Sequence, residues 1–232
     1  IKKPVGAGPY IFESWREGEE VVLRANPRYH DGAPKLPRLR VRVVRNEVTR
    51  YLELRGGKAD LVQNGLSPLY LKVLAGEPSL QVVSAPSILT SYVAFNLRDP
   101  MLKDVRVRRA IALAIDREEI IRQKLQGFAR LATGLLSPLH WAYTGDVAKY
   151  PYDVARSKQL LDEAGWRDPG GGRPRFRLTY KTSTDKFRVS VARVIASQLA
   201  RVGIAVDLRP YEWGTFFDDL KNGNFQICTL QW

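Results

Sequence analysis

The sequence predicts an α/β fold, and three observations carry the prediction. Stretches with apolar residues at every second position alternate with stretches where they recur at three- and four-residue spacing, the signatures of strand and helix. The second half of the chain reads strand–helix–strand–helix–strand, an open α/β layer arrangement. The hydrophobic share, 44% of 232 residues, is enough to fill a substantial core.

The first third is β-rich. Gly6-Ala7-Gly8-Pro9-Tyr10 forms a turn, and Tyr10-Ile11-Phe12 and Val21-Val22-Leu23-Arg24 read as strands around the turn Glu17-Gly18-Glu19. His30-Asp31-Gly32 marks another turn. Leu39–Val44 reads as a strand in which Arg38, Arg40 and Arg42 alternate with Leu39, Val41 and Val43, giving one charged face and one apolar face. Glu47–Gly56 has helical spacing and ends at Gly56-Gly57. Ala59–Val62 is expected to be a short strand, Pro68–Ala75 a short helix, and Leu80–Ser84 and Tyr92–Asn96 strands.

Asp104–Arg117, DVRVRRAIALAIDR, holds two helix starts. Asp104 can accept hydrogen bonds from the free amides of a first turn, and Val107, Ala110/Ile111 and Ala114/Ile115 form one apolar face. Asp116 with Glu119 has the spacing of a capping-box-like pair. Ile120, Ile121, Leu125 and Phe128 continue the stripe, with Gly127 as a stop. Leu131–Tyr152 is irregular. Asp153 caps a helix running to Ala164 and closed by Gly165, and Pro169-Gly170-Gly171-Gly172 is a turn. Phe176, Leu178 and Tyr180 alternate along a strand. A helix over about 185–201 sets Val191, Val194/Ile195, Gln198/Leu199 and Val202 on one face. Ile204, Val206 and Leu208 give the next strand, Trp213–Leu220 a helix, and Phe225–Leu230 the last strand.

Composition narrows the function classes. The net charge of +13, from 37 basic and 24 acidic residues, permits nucleic acid or anionic lipid as partners. The basic residues are dispersed, however, and the densest run, Lys35–Arg50, has no stacking aromatic until Tyr51, so it reads as a solvated face. The single cysteine, Cys228, lies in an apolar strand and reads as a buried, inert thiol. The two histidines, His30 and His140, lie in turns or loops with no partner pattern for a base or a metal site. No Gly-x-Ser-x-Gly elbow is present. Gly6-x-Gly8 is followed by Ile11 where a dinucleotide fingerprint needs glycine, and Gly170-Gly171-Gly172 lacks the Lys-Ser/Thr of a phosphate loop. The expectation is a protein without catalytic residues, cofactor or metal.

Binding has better material. Trp213 starts a helix directly after a strand, and Trp232 ends the last strand. In open α/β sheets ligands sit beyond the carboxyl ends of strands, where aromatic rings supply contact area at low entropic cost. Trp15, Trp141 and Trp166 read as packing residues.

Several motifs, in order along the chain, resemble the bacterial extracellular solute-binding proteins of the peptide/nickel type, which serve ABC importers. Gly6-Ala7-Gly8-Pro9-Tyr10 resembles that family's Gly-x-Gly-Pro-Tyr turn, and Asn26-Pro27-Arg28-Tyr29 its Asn-Pro-x-Tyr. Tyr92-Val93-Ala94-Phe95-Asn96 resembles the strand that precedes its Asp104–Arg117 signature. Tyr152-Asp153 through Ala155, Lys158, Leu160-Leu161 and Glu163-Ala164-Gly165-Trp166 matches another segment, and Glu212-Trp213, Phe216 and Gly223 match the approach to the final strand.

The resemblance implies a two-lobe architecture of the type II periplasmic binding protein kind, with the ligand enclosed between lobes. It implies a partial first lobe over residues 1–92, crossing strands at 93–96 and 227–232, and a second lobe over 97–226, the first lobe incomplete and the second nearly complete. Both chain ends are expected to be truncations, since Ile1 is not a natural translation start. The implied function is capture of peptides or another small solute by a monomer, periplasmic or membrane-anchored outside the cytoplasm, with a membrane permease as partner and no nucleic acid. A sensory binding protein on the same scaffold and a basic nucleic-acid-binding α/β protein are the alternatives. The implied ligand contacts are Tyr92, Asn96, Trp213 and Trp232. Two departures from the family pattern stand near the last of these: Gln231 replaces the usual glycine, and Thr229 or Leu230 stands where some peptide binders carry a basic residue.

Overall fold

A computed structural model describes residues 4–232 and divides the chain into two compact units, Ile1–Gln81 and Val82–Trp232. The division therefore falls ahead of residue 92, where the sequence places the end of a lobe. The reason is local: Thr90 pairs with Trp232 through two backbone hydrogen bonds, of 2.7 and 3.0 Å, which bind the segment before residue 92 to the second unit.

In the first unit, β1 (Tyr10–Arg16), β2 (Glu20–Ala25) and β3 (Arg38–Arg42) form an antiparallel sheet in chain order. The arginine face of β3 is answered residue by residue. Arg38 pairs with Glu13, Arg40 with Glu20, and Arg42 with Glu53 at 3.0 Å. Glu20 also accepts from Arg16 Nε at 3.1 Å. These hydrogen bonds, Arg40's first, hold the Glu20 carboxyl at about 2. On the apolar side, Tyr10, Phe12, Val21 and Leu23 line an open trough of about 630 Å³. Trp15 also lines it and is half exposed, which corrects its reading as a packing residue.

Helix α1 (Glu47–Arg55) is capped by Asn46, whose side chain accepts from Val48 N at 2.9 Å and Thr49 N at 3.3 Å. Helix α2 (Pro68–Leu74) begins with proline, whose fixed φ suits a first turn. Tyr51 of α1 stacks on Tyr70 of α2 at 4.7 Å. The strands expected at Ala59–Val62 and Leu80–Ser84 do not form. The amides of Lys58 and Ala59 turn back onto Glu53 O to close α1, and neither segment has a partner strand among the described residues.

The second unit is built on a four-stranded sheet of order β4-β7-β5-β6, from β4 (Ser91–Phe95), β5 (Phe176–Ser183), β6 (Ile204–Tyr211) and β7 (Ile227–Gln231). β5 pairs parallel to both β6 and β7, and β4 runs antiparallel to β7. The segments read as crossing strands, 93–96 and 227–232, lie along β4 and β7, which pair with each other in this sheet. Between β4 and β5 lie α3 (Val105–Ala114), α4 (Arg117–Gln123) and α5 (Val154–Glu163); α6 (Lys186–Ala200) joins β5 to β6, and α7 (Trp213–Asn222) joins β6 to β7. Asp104, Asp116, Asp153 and Asp185 each accept a first-turn amide of the helix they precede, as carboxylates at that position do.

One core gathers the apolar faces of α3, α5 and α6 on the Phe176, Leu178 and Tyr180 face of β5. Complete burial of side chains such as Leu161, Leu178, Leu199 and Ile204 stabilises by about 1.5–3 kcal/mol each. Helix α3 approaches α5 closely at Ala110, where the buried Ser157 hydroxyl donates to Ala110 O at 2.7 Å. Trp166 packs edge-on against Phe176, as its reading as a packing residue expects. Phe128 does not join the stripe; beyond Gln126 (φ 51°) and Gly127 (φ 83°) it is 44% exposed.

The α3–α4 corner is held from outside its own sequence. A complete capping box would return Glu119 to the Asp116 amide. Here Gln198 of α6, fully buried, does so instead: Asp116 N donates to Gln198 Oε1 at 3.1 Å, and Gln198 Nε2 donates to Glu119 Oε2 at 2.9 Å. Replacing Gln198 with leucine leaves that half-buried amide without its acceptor, and the expected loss is about 2 kcal/mol, read as a lower urea midpoint at unchanged slope. In the first unit, a ¹³C titration of the Glu20 carboxyl should have its midpoint near 2, not at the ordinary 4.5. Because the folded value is the lower one, the stability Glu20 contributes is present above pH 4.5 and is lost as the pH falls toward 2.

Candidate functional site at the carboxyl edge of the second sheet

Strand register decides which residues meet. Tyr92 lies opposite Leu230 and Ser91 opposite Gln231. Ser183 lies opposite Tyr211, and Tyr180 and Lys181 opposite Ile227 and Cys228. Continuing that register brings Gln231 level with Thr184. The ends of β5, β6 and β7 and the start of β4 therefore form one edge, and it carries Tyr92, Trp213 and Trp232. At about 4.8 Å per strand, the edge spans roughly 14 Å from β4 to β6. Trp213 is 52% exposed and Trp232 75%.

Asn96 lies elsewhere. It is four residues along β4 from Tyr92, about 13 Å away at the strand rise, at the amino edge of the sheet. Its side chain is spent on the fold. Nδ2 donates to Gly223 O at 2.9 Å and Phe225 O at 2.8 Å, and Oδ1 accepts from Arg98 N at 3.0 Å. Gln226 extends this network, accepting from Thr179 N at 2.7 Å and donating to Asp99 Oδ2 at 2.8 Å. An open groove of about 440 Å³ lies beside it, lined by Asp99, Met101, Trp166 and Gln226. That groove belongs to the amino edge and shares no residue with the three aromatics.

The carboxyl edge has features that the sequence reading did not single out. Phe217, one turn beyond Trp213, stacks on its ring at 5.8 Å with an 18° interplanar angle; the four-residue spacing of two aromatics was the available signal. Behind them Phe216 is fully buried and anchors α7. Lys181 donates to Asp219 of α7 at 2.6 Å and lies over the Tyr211 ring, 5.1 Å from its centroid. Its charge is thereby answered within the protein. Thr184 Oγ1 donates to Glu212 Oε1 at 3.1 Å.

In β7 the hydroxyl of Tyr180 meets Thr229 Oγ1, so Thr229, where some peptide binders carry a basic residue, is bonded inward here. Burial pushes the Tyr180 phenol up to about 12. Cys228 is fully buried and its thiol is likewise pushed up to about 12 by burial, which suits an inert packing group. Trp141, read from sequence as a packing residue, is instead 92% exposed and stacks on His140 at 5.5 Å. The turns around it are closed by backbone bonds from His140 N to Ser137 O and from Tyr143 N to His140 O.

The comparisons with known proteins agree with this frame. The family model "Bacterial extracellular solute-binding proteins, family 5 Middle" matches residues 1–232. The oligopeptide-binding protein AppA of Bacillus subtilis is 31% identical over the whole chain, which covers 44% of AppA. The structure of the periplasmic binding protein DppA of Helicobacter pylori, in complex with the peptide STSA, superposes with a TM-score of 0.85 at 30% identity, covering all of this chain and 44% of that one. NikA of Brucella suis, in complex with Fe(III)-EDTA, superposes with a TM-score of 0.90 at 26% identity, over 98% of this chain and 48% of NikA. The chain thus spans a little under half the length of these relatives. With a family match along its entire length and the fold of two-lobe binding proteins, the chain belongs to the bacterial extracellular solute-binding proteins, family 5.

Proposed function

We propose that the intact protein is the solute-binding component of an ABC importer, that it captures peptides or a peptide-like small solute outside the cytoplasm, and that it delivers them to a membrane permease. The observation that carries this reading is the placement of Tyr92, Trp213 and Trp232 on one carboxyl edge of an α/β sheet, the position where such sheets bind ligands, in a chain of family 5. The peptide bound by the Helicobacter DppA relative supports the choice of solute class. The chemistry of the edge is that of holding rather than converting. Exposed rings offer stacking area, Lys181 is neutralised by Asp219, and Tyr180 and Cys228 are buried with their protons held.

In this reading the edge supplies one wall of the binding site. Solute contacts made better in the closed form shift the protein toward closure by their differential affinity alone. Asn96 contributes by fixing β7, not by touching solute. The protein works as a monomer, and its location is periplasmic or on the outer side of a membrane anchor. Among the described residues no helix is long and apolar enough to cross a membrane.

Two measurements test the reading in the intact protein. Mass spectrometry of the solute that co-purifies should find peptides. Calorimetry with a panel of di- and tripeptides should give micromolar or tighter binding, weakened about tenfold in Trp213→Ala and in Trp232→Ala. Tenfold corresponds to about 1.4 kcal/mol, the scale of one lost aromatic contact. A non-peptide solute together with no binding across the panel would sink the peptide assignment.

A further inference from the structure

Trp213 sits on the corner that joins β6 to α7, and that corner is held from β5. Lys181 of β5 grips it on both sides. Its ammonium lies over the ring of Tyr211, two residues before Trp213, 5.1 Å from the centroid, within the range of a cation–π contact. The same ammonium donates to Asp219 Oδ2, six residues after Trp213, at 2.6 Å. The end of the strand and the middle of the helix are therefore drawn to one cation. Two further ties from β5's end close the corner. Thr184 N donates to Tyr211 O at 3.0 Å, and Thr184 Oγ1 donates to Glu212 Oε1 at 3.1 Å.

The ring itself has no such hold on the sheet. Its aromatic partners are Phe216, met edge-on, and Phe217, met face to face, each 5.8 Å away between centroids. Both belong to α7, so a rotation or slide of the helix would carry all three rings together. The fully buried Phe216 keeps α7 on the sheet, but apolar burial is non-directional. The ion pair supplies the direction. The Lys181 and Asp219 side chains are 12% and 21% exposed, and a pair so far out of solvent is little screened by salt. Apolar replacements of such pairs are often neutral for stability, so what the pair adds is orientation. Six residues along a helix separate Asp219 from Trp213 by about 120° around its axis. The rotation that turns Asp219 to Lys181 thus leaves Trp213 facing sideways out of the helix–sheet interface, half exposed at the carboxyl edge.

We propose that Lys181 is a positioning residue for solute binding, clamping Tyr211 and Asp219 so that the Trp213 ring between them is presented to the solute. The inference rests on the solute-binding reading and deepens it. Lys181 does not touch solute; its charge is consumed in fixing the one aromatic that starts α7.

The test uses the intact protein labelled with 5-fluorotryptophan, and the same di- and tripeptide panel as probes. The Trp213 fluorine signal is identified by its loss in Trp213→Phe, and that of the core residue Trp166 by its loss in Trp166→Phe. Lys181→Met keeps the apolar stem over Tyr211 and removes the ion pair. It should shift or broaden the Trp213 signal and leave the Trp166 signal in place, whereas general loosening of the unit would move both; Lys181→Arg should restore the wild-type signal. Affinity should fall about fivefold in Lys181→Met, but less than about twofold when the same change is made in Trp213→Ala, the non-additivity expected of residues that act as one. Where Lys181→Met shows no cooperative melting, Asp219→Asn is read by the same two measurements. An unmoved Trp213 signal, an unchanged affinity, or an equal loss on both backgrounds overturns the proposal and leaves the solute-binding reading standing. Wild type that binds no peptide of the panel sinks the peptide reading, and the Trp213 signal then decides by itself whether Lys181 sets the ring.

Discussion

The second unit depends on where β7 enters its sheet. β7 lies between β4 and β5, so its register fixes both neighbours at once. That register is set at the amino edge, where the Asn96 carboxamide holds the carbonyls of Gly223 and Phe225 and the Gln226 carboxamide holds the Thr179 amide. Gly223 takes part by its conformation. It ends α7 with φ at +74°, a value glycine adopts without steric cost. A slip of one residue in a sheet moves every side chain to the other face. The carboxamide pair therefore governs the far edge, which carries Tyr92, Trp213 and Trp232, from about 13 Å away along β4.

How much of this is legible in the sequence follows from the range of each interaction. The helices are readable because their signals are local: an aspartate before each of α3 to α6, apolar residues at three- and four-residue spacing, and glycine at the stops. The strands β5 and β6 are readable for the same reason, as clean alternation. Ala59–Val62 and Leu80–Ser84 have the composition of strands, but a strand needs a partner, and partners are a property of the fold. The corner at Asp116 shows the same limit on a smaller scale. The spacing announces a capping pair, while the reciprocal arm comes from Gln198, 82 positions away.

The candidate site divides along the same line. Trp213 and Trp232 are visible as aromatics at the ends of strands, a position that sequence can mark. Asn96 is a polar residue at a strand end, and nothing local separates one that meets solute from one that meets backbone; the carbonyls its Nδ2 donates to are more than a hundred positions away. The charge excess follows the same logic in reverse. A run of arginines that alone permits a polyanion partner turns out to be a ladder with Glu13, Glu20 and Glu53 on neighbouring elements.

The position of β7 also bears on the order in which the second unit assembles. β5, α6 and β6 are contiguous and can find one another early, since short loops close at low entropic cost. β4 has to wait. The residues that lock it, Asn96 and Gly223, are 127 positions apart, and such long-range pairings are slow to form. Until β7 arrives, the inner edge of β5 stands unpaired, the kind of strand edge that recruits foreign strands. The strand that completes the carboxyl edge is therefore also the one that covers the open inner edge of β5.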